Sequence, residues 1–230
     1  MDELIWLLSK YNLKDARRIE ESDRQFFAIK KICENIWNSP FFFAIIIANS
    51  LLSYQLSSTG EEYWEEFAEF SIRYEFPEEY DFKATFSFFE TFLLQSKWNK
   101  RILNMKMPRL IKTEALFDII KGEEEYFYNN LSELQVALSK TMKQDKESKT
   151  ILFALKMFHY AARIKFWYFL ISPYGIGIPI DSRIARIWDK YNTEWMKIQE
   201  FWEEVSQKIQ IPRLHLDAIL WTRCDDFICF

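Results

Sequence analysis

Asp145-Lys-Glu-Ser-Lys-Thr-Ile-Leu-Phe-Ala-Leu-Lys-Met-Phe158 and Pro173-Tyr-Gly-Ile-Gly-Ile-Pro-Ile-Asp-Ser-Arg-Ile-Ala-Arg186 frame the segment whose reading decides the fold. The first is a charged turn that runs straight into an apolar helical pattern. That pattern, from about Ser148 to Leu170, is long and stops before Ser172-Pro173, because the residue preceding a proline is pushed out of the helical region. Gly175 to Ile180 then reads as a short extended link. Asp181 follows, with Ile184, Ile187 and Trp188 at helical spacing beyond it. Asp is a favoured N-cap, and its carboxylate would accept the Ile184 N–H. Two helices therefore open on chemically capable side chains, Lys149 and Asp181.

Outward from this segment the chain is helical throughout. Residues 14 to 37 predict one amphipathic helix, with Ile19, Phe26, Phe27, Ile29, Ile32, Cys33 and Ile36 on its face and Gln25 within it. Phe41 to Leu52 is the most apolar run. It is well short of the roughly 20 residues a membrane span needs, so it predicts a core helix with Ser39 as N-cap and Pro40 at the first helical position. Thr59 is a candidate cap for the next helix, where Glu61 and Glu62 suit the N-terminal dipole and Trp64, Phe67, Phe70 and Ile72 recur. Pro77 breaks that pattern, and a Phe-rich helix covers about 81 to 96. Beyond Asp181, one helix holds Trp195, Ile198, Phe201, Trp202 and Val205 up to Pro212, and the last carries Leu214, Asp217, Leu220 and Trp221. No strand pattern and no internal repeat is visible, so the fold class is all-α. Only 4 Gly and 6 Pro in 230 residues predict few turns and long helices. The 49% apolar content, with 22 Phe and 9 Trp, supplies ample core and excludes a disordered chain.

The net charge of −4 argues against a protein that coats nucleic acid by bulk charge. The charge is unevenly placed, however. Lys97, Lys100, Arg101, Lys106, Arg109 and Lys112 occur without an acid between 97 and 113. Lys140, Lys143, Lys146, Lys149, Lys156, Arg163 and Lys165 face only Asp145 and Glu147 between 135 and 169. Such runs are either solvated helix faces or contacts to phosphates. Cys33, Cys224 and Cys229 are too few and scattered for a disulfide framework and fit a reducing, cytoplasmic setting. Cys224 and Cys229 alone cannot hold a four-cysteine iron–sulfur cluster. With only His159 and His215, a histidine-rich zinc site is not expected, so no metal or cofactor is called for. The acidic Met1-Asp-Glu start does not read as a signal peptide.

On a helix, Lys149, Phe153, Lys156 and Tyr160 share one face. Two lysines beside two aromatics suit neither a plain core nor a plain surface. They suit a cleft for a flat, anionic substrate. Lys149 lies in the first turn, where the helix dipole and Lys146 both favour an uncharged amine, the form a Schiff-base nucleophile requires. One solvated lysine among many is the other reading. Asp181 can cap its helix and still present its second oxygen to a reacting centre.

The lysine-opened helix and Ile178-Pro-Ile-Asp-Ser-Arg183 resemble the helix-hairpin-helix superfamily of DNA glycosylases. The segment Lys149 to Met157, with its aspartate 32 residues on, is similar to the archaeal 8-oxoguanine DNA glycosylase/lyase branch, the AGOG type. The resemblance implies that Lys149 attacks the anomeric carbon, expels the base and forms a Schiff base that allows β-elimination. It implies that Asp181 stabilises positive charge on the sugar and helps deprotonate Lys149. It also implies that Phe153 and Trp221 sandwich the flipped base and that Gln25, Trp64 and Asp217 bond its edge, with Lys156 a further pocket residue by its place on the Lys149 face. Flipping costs a few kcal/mol, which two aromatic faces at about 1–3 kcal/mol each would offset. One departure stands out. The turn Lys143-Gln-Asp-Lys-Glu-Ser148 lacks the hairpin glycines of the superfamily, so anchoring would rest on Lys143 and Lys146.

The implied architecture is a two-lobed helix-hairpin-helix glycosylase fold across residues 1–230, with the active site in the cleft. A middle lobe of about 60–165 would carry the hairpin and Lys149, and a second lobe of about 1–59 plus 166–230 would carry Asp181. The implied partner is damaged DNA containing 8-oxoguanine, bound by a monomer with no membrane contact. Three other readings remain open: the same chemistry on another oxidised base, a non-catalytic helical DNA-binding module with Lys149 as a phosphate contact, and a helical protein-interaction domain.

Overall fold

A computed structural model describes residues 1–228 of the chain, and Cys229 lies outside the described residues. Fifteen helices and no strand occur among them. They are α1 (Asp2–Leu8), α2 (Leu13–Glu21), α3 (Arg24–Asn35), α4 (Phe42–Leu52), α5 (Gly60–Ser71), α6 (Phe82–Gln95), α7 (Leu103–Ile111) and α8 (Glu114–Ile120). These are followed by α9 (Glu124–Asn129), α10 (Leu131–Met142), α11 (Lys149–Phe166), α12 (Ser182–Tyr191), α13 (Ile198–Ile209), α14 (Arg213–Thr222) and α15 (Cys224–Ile228). No helix among the described residues is long and apolar enough to cross a membrane.

The centre is built from α4 and α11, which pack on each other. Every residue of α4 is buried, as a helix apolar on all sides requires. Ala154 to Arg163 of α11 are likewise buried without interruption. Helices α3 and α5 pack together beside this centre, and α14 packs on α2. The buried apolar residues form two clusters. One runs from Phe26 to Ile176 and takes in Leu214. The other joins Leu4, Leu8 and Ala16 to residues between Ile178 and Phe227. Residues 26–52, assigned from sequence to the second lobe, therefore contribute to the first cluster.

Several boundaries differ from the sequence expectation. The single helix expected over 14–37 is two helices, because Asp23 turns out of the pattern and its side chain caps α3 by accepting from the Gln25 N–H at 2.8 Å. The expected cap at Ser39 lies too early. Its hydroxyl accepts from Phe41 N at 3.3 Å in a turn, and α4 begins at Phe42. Trp195 is not part of α13; it sits in the preceding loop at φ 57° and is 93% exposed. The long helices expected from the low Gly and Pro content are mostly short, since non-glycine residues such as Lys143, Trp167 and Gln210 adopt the left-handed conformation at helix ends. Where caps were read from sequence at Thr59, they hold: Thr59 and Glu62 form a reciprocal capping box at the head of α5.

The link before Asp181 is set by side chains rather than by a ladder. Gln199 Nε2 donates to the Ile178 carbonyl at 2.9 Å, and its Oε1 accepts from Ile178 N at 3.2 Å. A Cβ on Gly177 would lie 2.8 Å from that Oε1 and 3.1 Å from Leu152, so only glycine lets the link pass this close. Buried Arg213 donates to the Gln199 and Tyr174 carbonyls at 3.1 and 3.3 Å, which fixes the link from the other side.

Candidate active site

Helix α11 carries its side chains from water into the core. Lys149, its first residue, is exposed, Phe153 is half-buried and Lys156 is buried. Tyr160, the fourth member of the expected face, is fully buried and packs its ring against Phe26 at 5.3 Å instead of facing the cavity. A cavity of about 460 Å³ follows this gradient. All eight side chains singled out in the sequence line it: Gln25, Trp64, Lys149, Phe153, Lys156, Asp181, Asp217 and Trp221. They come from α3, α5, α11, the head of α12 and α14.

The floor is an ion pair. Lys156 Nζ lies 2.5 Å from Asp217 Oδ2, and both side chains are almost entirely buried. Burial opposes the Lys156 ammonium, but Asp217 and Asp23 outweigh it and hold its pKa above the ordinary lysine value. The same burial raises the Asp217 carboxyl, with Lys156 pulling against it. Charged partners this close and this dry fix each other's position more than they stabilise the fold.

Asp181 adopts extended backbone ahead of α12, and its Oδ1 accepts from the Arg183 and Ile184 N–H groups at 2.9 Å each. Its second oxygen is also engaged, accepting from Trp221 Nε1 at 3.1 Å. Trp221 is backed by the Arg183 guanidinium, 4.3 Å from its ring centroid. On the opposite flank, Trp64 is fully buried, its ring edge-on to Phe153 at 6.4 Å. Its indole N–H has no protein partner, an unusual state for a buried donor. Gln25 is held at the first turn of α3. A Cβ on Gly60 would stand 2.9 Å from its Nε2, so the glycine heading α5 leaves room for the amide.

Sequence reasoning missed Asp23, which shapes the charge around Lys156, and Arg183, which backs Trp221. The Ser22-Asp23 pair is a cap signal that the uninterrupted apolar period masked. Tyr54 and Gln55, in the loop between α4 and α5, also line the cavity. The basic runs are only partly available to a ligand. Lys106, Lys156 and Arg163 are buried. Lys106 donates to Asn99 Oδ1 and to the Tyr54 carbonyl, and burial pushes its pKa down to about 8. Lys97, Lys100, Arg101, Lys112, Lys140, Lys143 and Lys146 remain exposed.

Chemically, the cavity offers an accessible primary amine, a carboxylate held by three N–H donors, aromatic walls and an orphaned donor at depth. That set suits a planar polar group attached to an electrophilic carbon. A larger hollow of about 760 Å³ between α3, α5 and the end of α6 also holds lysines, glutamates and aromatics, but no orphaned buried donor. Ion pairs tie α3 to α5 across it, Arg24 to Glu65 at 2.7 Å and Lys31 to Glu69.

Comparison with known proteins gives the same direction. The model of the AGOG N-glycosylase/DNA lyase family matches residues 5–225. An N-glycosylase/DNA lyase of Methanococcus maripaludis is 36% identical over 96% of this chain and 86% of its own length. One of Thermococcus kodakarensis is 35% identical over 96% of this chain and 82% of its own. In fold, the chain is similar to a Pyrobaculum aerophilum protein, an 8-oxoguanine DNA glycosylase whose crystal structure is complexed with 8-oxoguanosine. That match has TM-score 0.83 and 22% identity, covering 97% of this chain and 87% of the other. The chain belongs to the AGOG family of N-glycosylase/DNA lyases.

Proposed function

We propose that the chain removes 8-oxoguanine from DNA and then cuts the strand, with Lys149 as nucleophile and Asp181 as its carboxylate partner. The observation that carries this reading is the convergence of all eight assigned side chains, from four helices and the cap of a fifth, on one cavity. Lys149 Nζ forms a bond to the anomeric carbon as the bond from that carbon to the base breaks. The base leaves with the electron pair and takes up a proton. Opening of the sugar ring yields a protonated imine, loss of a proton from the adjacent carbon expels the 3′ phosphate, and water releases the lysine. Asp181 accepts the lysine proton and faces the positive charge that develops on the sugar.

In this reading Phe153 and Trp221 flank the flipped base, and Gln25, Trp64, Lys156 and Asp217 contact its edge. The lesion differs from guanine by a ring N–H donor and a carbonyl. The Gln25 amide oxygen would take the new donor, and the free Trp64 N–H supplies a donor at the same depth. Two lobes would close on the base. The two apolar clusters favour a division near residues 25 and 177 rather than 60 and 166, and the cavity draws side chains from helices of both. The cavity is complete within one chain, which supports action as a monomer. A repair enzyme of this kind would work on chromosomal DNA in the cell interior.

The test is borohydride trapping on a duplex with one 8-oxoguanine. A covalent adduct is expected from the native chain and none from Lys149→Gln, while Asp181→Asn binds but turns over about 10²-fold slower or worse. Absence of an adduct on any duplex of a panel of oxidised bases rejects the enzyme reading. An adduct only on a different lesion corrects the substrate.

A further inference from the structure

We propose that Trp221 is a positioning residue for Asp181 as well as a wall for the base: its indole N–H sets the direction of the carboxylate oxygen that serves the lysine. The inference rests on the assignment of Lys149 and Asp181 above.

The geometry of Asp181 carries it. Both capping bonds, from Arg183 N and Ile184 N, end on Oδ1. The two oxygens turn together about the Cβ–Cγ bond, a broad torsion for a carboxylate, so a donor on Oδ2 restrains from its own side the torsion that the capping bonds restrain at Oδ1. The only donor on Oδ2 among the described residues is Trp221 Nε1, at 3.1 Å. Trp221 is itself held by one neighbour, and its helix is anchored close by. The Arg183 guanidinium lies 4.3 Å from its ring. Four residues earlier on α14, Asp217 is pinned to Lys156 of α11 at 2.5 Å. A base seated against the Trp221 ring would thereby settle the ring, and through its N–H the oxygen of Asp181. Recognition and chemistry would share one side chain, and the tie would persist after the base has left.

That last point separates the two roles. A preformed abasic site has no base to stack, so a mere wall is irrelevant to its cleavage. The test compares the native chain with one in which Trp221 is replaced by benzothienylalanine, which keeps the size and ring of tryptophan but lacks the N–H. Trp221→Phe serves as a second variant. The replaced chain is expected to bind an abasic-site duplex within about threefold of native and to cleave it about tenfold slower or worse, the scale for losing a hydrogen bond to a charged group. Cleavage at the native rate overturns the proposal, and so do equal losses in binding and rate. Trapping of the native chain on the same duplex, lost in Lys149→Gln, is the control. If that control fails, the Lys149 assignment has failed; if it holds and the replaced chain cleaves normally, only the role of Trp221 has.

Discussion

At the level of single residues, the floor of the cavity is where substitution should be most costly. Asp217→Ala would leave the Lys156 ammonium buried without a partner, which costs about 3–5 kcal/mol. The expected result is a melting temperature lower by roughly 10 °C or more, with most of the loss recovered in Lys156→Met/Asp217→Leu. Thermal denaturation of the three chains checks this. Gly60→Ala addresses recognition instead of stability. The added methyl would press on Gln25 Nε2. Discrimination between 8-oxoguanine and guanine should weaken severalfold, while cleavage of an abasic site stays unchanged, as single-turnover assays on the two substrates would show. What could be read at this scale from sequence depended on range. Lys149, Phe153 and Lys156 share a face through helical spacing, which is local. Lys106 looked like one more surface base, yet the Tyr54 carbonyl that receives it is 52 residues away. No pattern around position 106 reports on such a partner.

At the level of elements, the turn between α10 and α11 shows what replaces a hairpin glycine. Lys143 takes φ 51°, ψ 47° at the end of α10, and Gln144 N closes the turn on the Ser139 carbonyl at 3.1 Å. A side chain in that conformation costs about 1–2 kcal/mol. Lys143→Gly should therefore raise the melting temperature by a few degrees. It should also remove one phosphate contact, lowering the slope of log affinity against log salt by about 1. Lys106→Met, at a buried site, should leave that slope as it is. A salt titration of DNA binding on the three chains measures both effects. Caps at Thr59 and Asp181 were legible because they precede a clean apolar period. The break at Ser22-Asp23 was not, because Ile19 and Phe26 keep the period running across it.

At the level of the whole molecule, a buried polar network ties three distant segments. Arg163 of α11 donates to Glu20 of α2 at 2.8 Å, and His215 of α14 meets the other Glu20 oxygen at 2.8 Å. Ser172 N donates to His215 Nε2, so the ring gives its Nδ1 proton to Glu20. Burial raises the Glu20 carboxyl, but His215 and Arg163 outweigh it and hold it down at about 2. Burial, with His215 nearby, pushes His159 down to about 3. Both values lie below those of the unfolded chain, so the unfolded state takes up protons first as pH falls. Stability is therefore full above about pH 6.5 and is lost progressively toward pH 3 through His159, and between about 4.5 and 2 through Glu20, at roughly 1.4 kcal/mol per pH unit for each group. Urea denaturation at stepped pH should show this fall, and His159→Gln should flatten the part above pH 4.5. Nothing in the sequence joined Glu20 to His215, which stand 195 positions apart.

The burial gradient along α11 has a kinetic counterpart. Amides from Ala154 to Arg163 sit inside both the helix and the core, so their hydrogens should exchange with deuterium only when the whole molecule opens. Lys149 and Thr150 begin the same helix with no side-chain cap from Ser148, and their hydrogens should exchange within the dead time. One rod thus joins fast-exchanging and slow-exchanging backbone positions little more than one turn apart. A substrate that engages Lys149 grips the loose N-terminal end of a helix anchored in the core, and protection gained at 149–150 would report engagement with no change along the buried part of the helix.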